Sequence, residues 1–368
     1  MGVMIAEAPQ ICQRDKSFRT DDAKREIFWQ LGAKAGTINP AAHFDAAGLA
    51  AIIVHIQERF INKVLYSFGL IIAAGYAWRF VNPAGLDRHR VRHALSVTVL
   101  HFFLPALAFG LVATTHVDRS FIAVPLAAAV TTLTGIVSGL AAYKLLPWFR
   151  KIDRPGFGVM ILAAAFGNVT YLGLPVITGM LGPQYGYVAI IYDLLAATPI
   201  LLTVGVFIAA RYGRGGSVSI AASLRRVVKL PPLWGVAAGM AVQAAGIAVP
   251  QVVLDAATLM GKAVIPVMIF TVGLALDFRD LKRLPVAVPA LALKLFMAPA
   301  LAWWVGMKLG LTGQALKAVT IEGAMPVMVL SLVIADEFDL DVPLAATCIA
   351  ASTVALFFTM PVMLRILF

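Results

Sequence analysis

Charge is scarce in this 368-residue chain: 13% of its residues are Asp, Glu, Lys or Arg, against roughly 25% in a soluble globular domain, while 60% are hydrophobic. That shortage excludes a soluble fold. Cysteine is scarcer still. Cys12 and Cys348 stand near opposite ends with no CxxC or Cys/His spacing, so neither a disulfide framework nor a zinc site is indicated. No phosphate loop, metal-ligand cluster or nucleophile elbow occurs, which leaves an enzyme without support, and no cofactor or metal is expected. His89 and His93 have helical i, i+4 spacing but lie among arginines and are discounted as a metal pair. The net charge of +11 does not point to nucleic acid, because the basic residues lie between apolar runs, where cytoplasmic loops retain them.

What the chain has is long apolar runs. Ten are expected, near residues 61–80, 93–113, 121–143, 157–180, 186–210, 233–249, 252–276, 285–307, 315–335 and 343–367. Each approaches the roughly 20 residues that a helix needs to cross hydrocarbon. The sixth is short, and only Pro250 and Gln251 divide it from the seventh. The fold class is therefore an all-α polytopic membrane protein of ten transmembrane helices. Residues 1–58 are rich in charges of both signs and read as a polar tail, or as an upstream extension from a start codon placed too early. The first five-helix half covers 59–213, a basic linker 214–232, and the second half 233–368.

Orientation follows from Lys and Arg. The loops after spans one, three, five and seven carry sixteen of them, those after two, four, six and eight only Arg119, Lys262, Lys308 and Lys317. Odd-numbered loops are expected in the cytoplasm and both termini outside, in a bacterial inner membrane. The ninth loop dissents, with Asp336, Glu337, Asp339 and Asp341, but acidic residues contribute little to this rule. In the linker, Arg225, Arg226 and Lys229 beside Ile220, Leu224, Val227 and Val228 suit a basic tether or a helix on the anionic inner leaflet.

Helices interrupted at matching places in two halves are the best sequence pointer to a solute site. Pro105 in span two pairs with Pro266 in span seven, each with an aromatic four residues on. Span four holds Gly167-Asn168-Val169-Thr170-Tyr171-Leu172-Gly173-Leu174-Pro175, and span nine holds Glu322-Gly323-Ala324-Met325-Pro326. Five spans per half make the repeat inverted. Proline and glycine weaken the helix at these places, and freed backbone groups must be satisfied inside the bundle. If both unwind, four half-helix ends converge, with the N-terminal ends attractive to an anion.

The run Gly167-Asn168 through Leu172-Gly173-Leu174-Pro175 resembles the signature of the auxin efflux carrier family of bacterial and plant transporters. Leu104-Pro105-Ala106-Leu107, Ala324-Met325-Pro326 with Val333-Ile334-Ala335-Asp336, and Ser352-Thr353 with Pro361 add to the resemblance, which covers about residues 60 to 368. Pro231-Pro232-Leu233 departs from the Asn-Pro-Leu frequent in relatives. The resemblance implies a fold like that of bile-acid symporters and sodium/proton antiporters, with a scaffold domain, a transport domain and two broken helices crossing at their prolines. It also implies carriage of organic acids such as malonate or malate.

Asn168, Thr170, Tyr171, Gly173, Pro175, Met325 and Pro326 are the expected substrate-binding residues, with Pro105 and Pro266 structural. Carboxylates inside a span are functional candidates by default. Asp193 and Glu322 are the candidates for coupling to a proton or sodium gradient, although Asp193 also suits a structural partner of the first break and Glu322 a solvated position near the outside. Lys294 suits attraction of an anionic substrate but is expected rather to snorkel to the cytoplasmic face, and His101 to be a satisfied core residue. The expected partners are a small organic anion, the lipid bilayer and, through the scaffold domain, a second copy of the chain. Alternatives are a sodium or proton antiporter of the same fold, disfavoured because spans four and nine supply a single carboxylate, and a membrane sensor that has lost transport.

Overall fold

Hydrocarbon leaves backbone amides no partner but their own helix, and helices are the regular elements of the described residues, joined by a single isolated bridge. The computed structural model describes residues 46–115, 118–145, 152–214 and 219–368. Cys12 and most of the charged segment lie outside them. A compact unit runs from Asn62 to Phe368.

Seven helices among the described residues are long and apolar enough to cross a membrane. They are α1 (Ala46–Val81, apolar from Lys63), α2 (Arg88–Thr114), α3 (Ser120–Leu145), α6 (Pro183–Tyr212), α9 (Gln251–Ala275), α10 (Leu281–Lys308) and α13 (Val342–Leu367). The chain is thus a polytopic membrane protein. Helix α1 begins upstream of residue 58, inside the segment read as a tail. The remaining apolar runs fold as shorter pieces. The fourth is split into α4 (Arg154–Ala165) and α5 (Val169–Leu181), the ninth into α11 (Gly313–Gly323) and α12 (Leu330–Glu337). The sixth is the 14-residue α8 (Pro231–Ala244), stopped by Gly246 at φ +64° before Pro250 caps α9. The linker contains α7 (Ile220–Val228).

Prolines shape these helices in two ways. Wider π turns at Val99–Phe103, Val169–Gly173, Asp193–Ala197 and Leu293–Met297 each end two residues before a proline, namely Pro105, Pro175, Pro199 and Pro299. Proline lacks an amide donor and crowds the carbonyl four residues back; a wider turn moves that carbonyl aside. Pro266, expected to match Pro105, instead sits inside the uninterrupted helix α9.

Helices α1, α2, α8 and α9 form one packed group. Trp78 and Tyr76 of α1 meet Phe270 and Phe278 edge-on, and α2 packs on α8 and α9. Gly235 and Gly239, a small-xxx-small pair of the kind that brings membrane helices together, set α8 against the backbone of α2: a Cβ on Gly235 would strike the Pro105 carbonyl, and one on Gly239 would come within 3.0 Å of that of Phe109. The second group contains α3 to α6 and α10 to α13, with α3 packed on α4, α6 and α10, and α11 on α10. The groups meet where α9 touches α5 and α2 touches α6.

Ion pairs gather the odd-numbered loops on one face. Asp277 after α9 binds Arg88 at the start of α2 (2.9 Å) and Arg279 (2.6 Å), with Arg79 of α1 at 4.0 Å. Burial acts to raise the Asp277 carboxyl, but the hydrogen bonds from Arg279 and Arg88 outweigh it and hold the group well below the usual carboxylate range. Arg154 donates to the Arg211 carbonyl (3.1 Å). The dissenting acidic loop completes this face: Glu337 pairs with Arg226 of α7 (2.8 Å), Asp339 with Arg214 (3.9 Å), and Asp341 with Arg283. Its acids neutralise basic residues of neighbouring loops. Lys262, counted with the even loops, sits within α9.

Candidate transport site

The two split helices meet at their interruptions. The Asn168 amide donates to the Pro326 carbonyl (2.7 Å), the Met328 amide to the Phe166 carbonyl (3.0 Å), and Gly167 and Val327 form an antiparallel bridge between them. Ser352 of α13 accepts the Val327 amide (3.0 Å). Backbone groups released by one break are thus satisfied by the other, the requirement for irregular chain inside a membrane protein.

The crossing falls at Pro326 in one helix but at Gly167 in the other, not at Pro175. The π turn over 169–173 absorbs the missing amide of Pro175, which lies buried seven residues beyond Asn168. Gly167 sits at the crossing because the Lys294 side chain occupies the space a Cβ would fill, 2.8 Å from Cε, with the Met325 carbonyl at 3.3 Å. Gly173 backs onto the Glu322 carboxylate, which a Cβ there would overlap. Each of these two glycines therefore makes room for a charged side chain delivered by the other half of the sequence.

Those side chains are deeply buried. Lys294, expected to snorkel, is 2% exposed and donates to the Gly323 carbonyl (2.6 Å). It caps the C-terminal end of α11 with positive charge, the favourable sign there. Snorkelling fails because Lys294 lies in the π turn of α10, facing the crossing rather than lipid. Glu322, considered for a solvated outer position, is 0% exposed, and neither carboxylate oxygen has a hydrogen-bond partner. The break at residue 324 makes it the penultimate residue of the half-helix α11, not the beginning of a full span. Asp193 (4% exposed) accepts hydrogen bonds from Thr198 (2.7 Å) and from Thr170. Asp193 and Lys294 are the charged groups that act on Glu322.

Of the expected binding residues, Asn168, Met325 and Pro326 meet at the crossing, Thr170 joins through Asp193, and Gly173 through Glu322. Asn168 is 3% exposed and its Nδ2 donates to no group. Tyr171, half-buried, lies instead toward α2, near Ser96 and Arg92. Pro105 and Pro266 belong to the other helix group. Sequence reasoning passed over Thr198 and Arg92, and took Lys294, a lysine in the middle of an apolar run, for a snorkelling residue. Cys348 is buried and unpaired, and no group of three metal-ligating side chains occurs among the described residues.

An uncharacterized transporter of Methanothermobacter thermautotrophicus is 29% identical over 307 residues, 82% of this chain and 96% of that protein. One of Methanocaldococcus jannaschii is 25% identical over 292 residues, 77% and 91% of the two chains. Residues 68–364, which contain both interruptions and all the charges of the crossing, match the family described as Membrane transport protein, so the chain belongs to that family, the auxin efflux carriers.

Proposed function

We propose that this protein is a secondary carrier of a small organic anion, a mono- or dicarboxylate of the malonate or malate type. In this reading ten helices cross the membrane as two inverted five-helix repeats, and the group holding both interruptions moves against α1, α2, α8 and α9 in alternating access. The observation that carries it is the crossing of two interrupted helices with an unpartnered amide donor, Asn168 Nδ2, beside a buried lysine. Half-helix N-termini add partial positive charge to that place, and Asp193 and Glu322 couple the movement to a proton or sodium ion.

The test is purified protein in liposomes offered labelled malonate, malate and acetate, with and without a proton or sodium gradient. Saturable, gradient-stimulated uptake of at least one acid is expected. Absence of uptake of all three by folded protein would sink the reading for these acids.

One observation favours a second reading, a sodium or proton antiporter. Although the two interrupted helices supply only Glu322, α6 supplies Asp193 to the same place, so two carboxylates act on one another there. Proton flux driven by sodium in liposomes without any organic acid separates the two.

A further inference from the structure

Arg88 and Arg92 stand one turn apart on α2, on the same face, yet their surroundings differ. Arg88 is spent on the Asp277 carboxylate (2.9 Å) and the Leu276 carbonyl (3.2 Å). Arg92 is half-buried, its Nε is shielded from solvent with no hydrogen-bond partner, and no carboxylate lies within ion-pair distance of it among the described residues. A buried guanidinium donor without an acceptor is an exception that calls for one.

What faces it is the turn that follows the first interruption. Tyr171 of α5 is the aromatic neighbour of Arg92 and lies near Ser96, one further turn along the same face of α2. The charged groups around this place are Arg88 on the same helix and Asp193 on α6. Three donors, a guanidinium and two hydroxyls, thus converge from the two helix groups, and all three residues are half-buried rather than sealed. A guanidinium fork matches a planar carboxylate through two parallel hydrogen bonds, with the hydroxyls free to donate to the same oxygens.

We propose that Arg92, with Ser96 and Tyr171, receives a carboxylate of the transported acid from the α2 side, so that the bound anion bridges the two helix groups. The inference rests on the carrier reading and assigns its anion recognition to a residue outside both interruptions. A ligand held by both groups makes binding sensitive to their relative position, which is what alternating access needs.

The experiment measures malonate, malate and acetate binding to purified full-length protein by calorimetry, beside uptake in liposomes. Arg92→Gln should weaken binding at least tenfold with the melting temperature of the ligand-free protein unchanged. Arg92→Lys, which keeps the charge but not the fork, should fall between that and the wild type, and Tyr171→Phe and Ser96→Ala should each weaken binding several-fold. The two uncharged variants carry the test if Arg92→Gln does not fold. Unchanged affinity in Arg92→Gln, or in both Tyr171→Phe and Ser96→Ala, overturns the proposal while leaving a transporting wild type, and hence the carrier reading, intact. Wild-type binding without transport would sink the carrier reading and leave Arg92 the anchor of a bound, untransported acid, and absence of binding of all three acids would end both.

Discussion

The two interrupted helices, α4–α5 and α11–α12, meet in one place but are built from different chemistry. The first break is three residues long, 166–168, and is followed by a π turn; the second covers 324–329 with Pro326 in its middle and no π turn. The first contributes only neutral side chains, Asn168, Thr170 and Tyr171, and the charges beside it come from elsewhere: Lys294 at Gly167, Asp193 at Thr170 and Glu322 at Gly173. Around the second stand charges, Glu322 on α11 itself and Lys294 on its terminal carbonyl. The two breaks therefore differ in the chemistry of their own side chains. The second break brings a buried carboxylate of its own, Glu322, whereas the first brings a buried amide donor, Asn168 Nδ2, with no acceptor among the described residues.

Removing charge from the second break should have the largest effect on stability. Lys294→Met leaves the buried Gly323 carbonyl without its charged donor and should cost about 1.5–3 kcal/mol, read as a lower melting temperature in detergent. The double variant Lys294→Met/Glu322→Gln should recover part of that loss; no recovery would mean the two charges do not act on each other.

Next comes the steric link between the breaks. Gly173→Ala pushes a methyl group into the Glu322 carboxylate and should cost about 1–3 kcal/mol, the usual range for overpacking. Adding Glu322→Ala should relieve the strain without restoring uptake. A Gly173→Ala protein as stable as wild type would break the claimed contact.

A smaller effect is expected away from both breaks. Asp277→Asn loses charged hydrogen bonds near the surface, about 1 kcal/mol once solvent screening is allowed for. Because the folded carboxyl titrates below its unfolded value of about 3.9, that stabilisation is complete above this pH and fades as pH falls through the folded value. Wild type and Asp277→Asn should therefore converge in stability on acidification.

The smallest change in stability, about 1 kcal/mol or less, is expected of Asn168→Ala: the buried side chain leaves a small void, but losing an amide donor that has no partner offsets it. Uptake should nonetheless fall at least tenfold. If instead this variant is destabilised like Lys294→Met, the contrast between the two breaks is wrong.

Much of the fold was legible because apolar runs and their punctuation obey the demands of hydrocarbon directly. Both interruptions were readable from Gly-Asn and Gly-Ala-Met-Pro. Their meeting point was not, because a π turn can absorb a proline, and no local pattern tells an absorbed proline such as Pro175 from one that splits a helix, such as Pro326. Lys294 was misjudged for a related reason: a lysine in an apolar run reads equally as snorkelling or buried, and only the tertiary position of the Gly323 carbonyl decides. The burial of Glu322 could not be inferred until the break at residue 324 made it the end of a half-length helix. Arg92 gave no signal at all among its neighbouring arginines.

Helix α8, held on α2 by Gly235 and Gly239, has a further consequence for the surrounding lipid. Fourteen residues rise only about 21 Å, while the hydrocarbon core is about 30 Å thick. Trp234 and Met240 are exposed on the helix and Ile247 just beyond it, so in the proposed ten-span arrangement this flank would face acyl chains that it is too short to match. Hydrophobic mismatch of this kind draws the bilayer inward beside one helix group and not the other. A membrane of shorter acyl chains would relax that deformation, and turnover in liposomes should rise as chain length is reduced toward the span of α8.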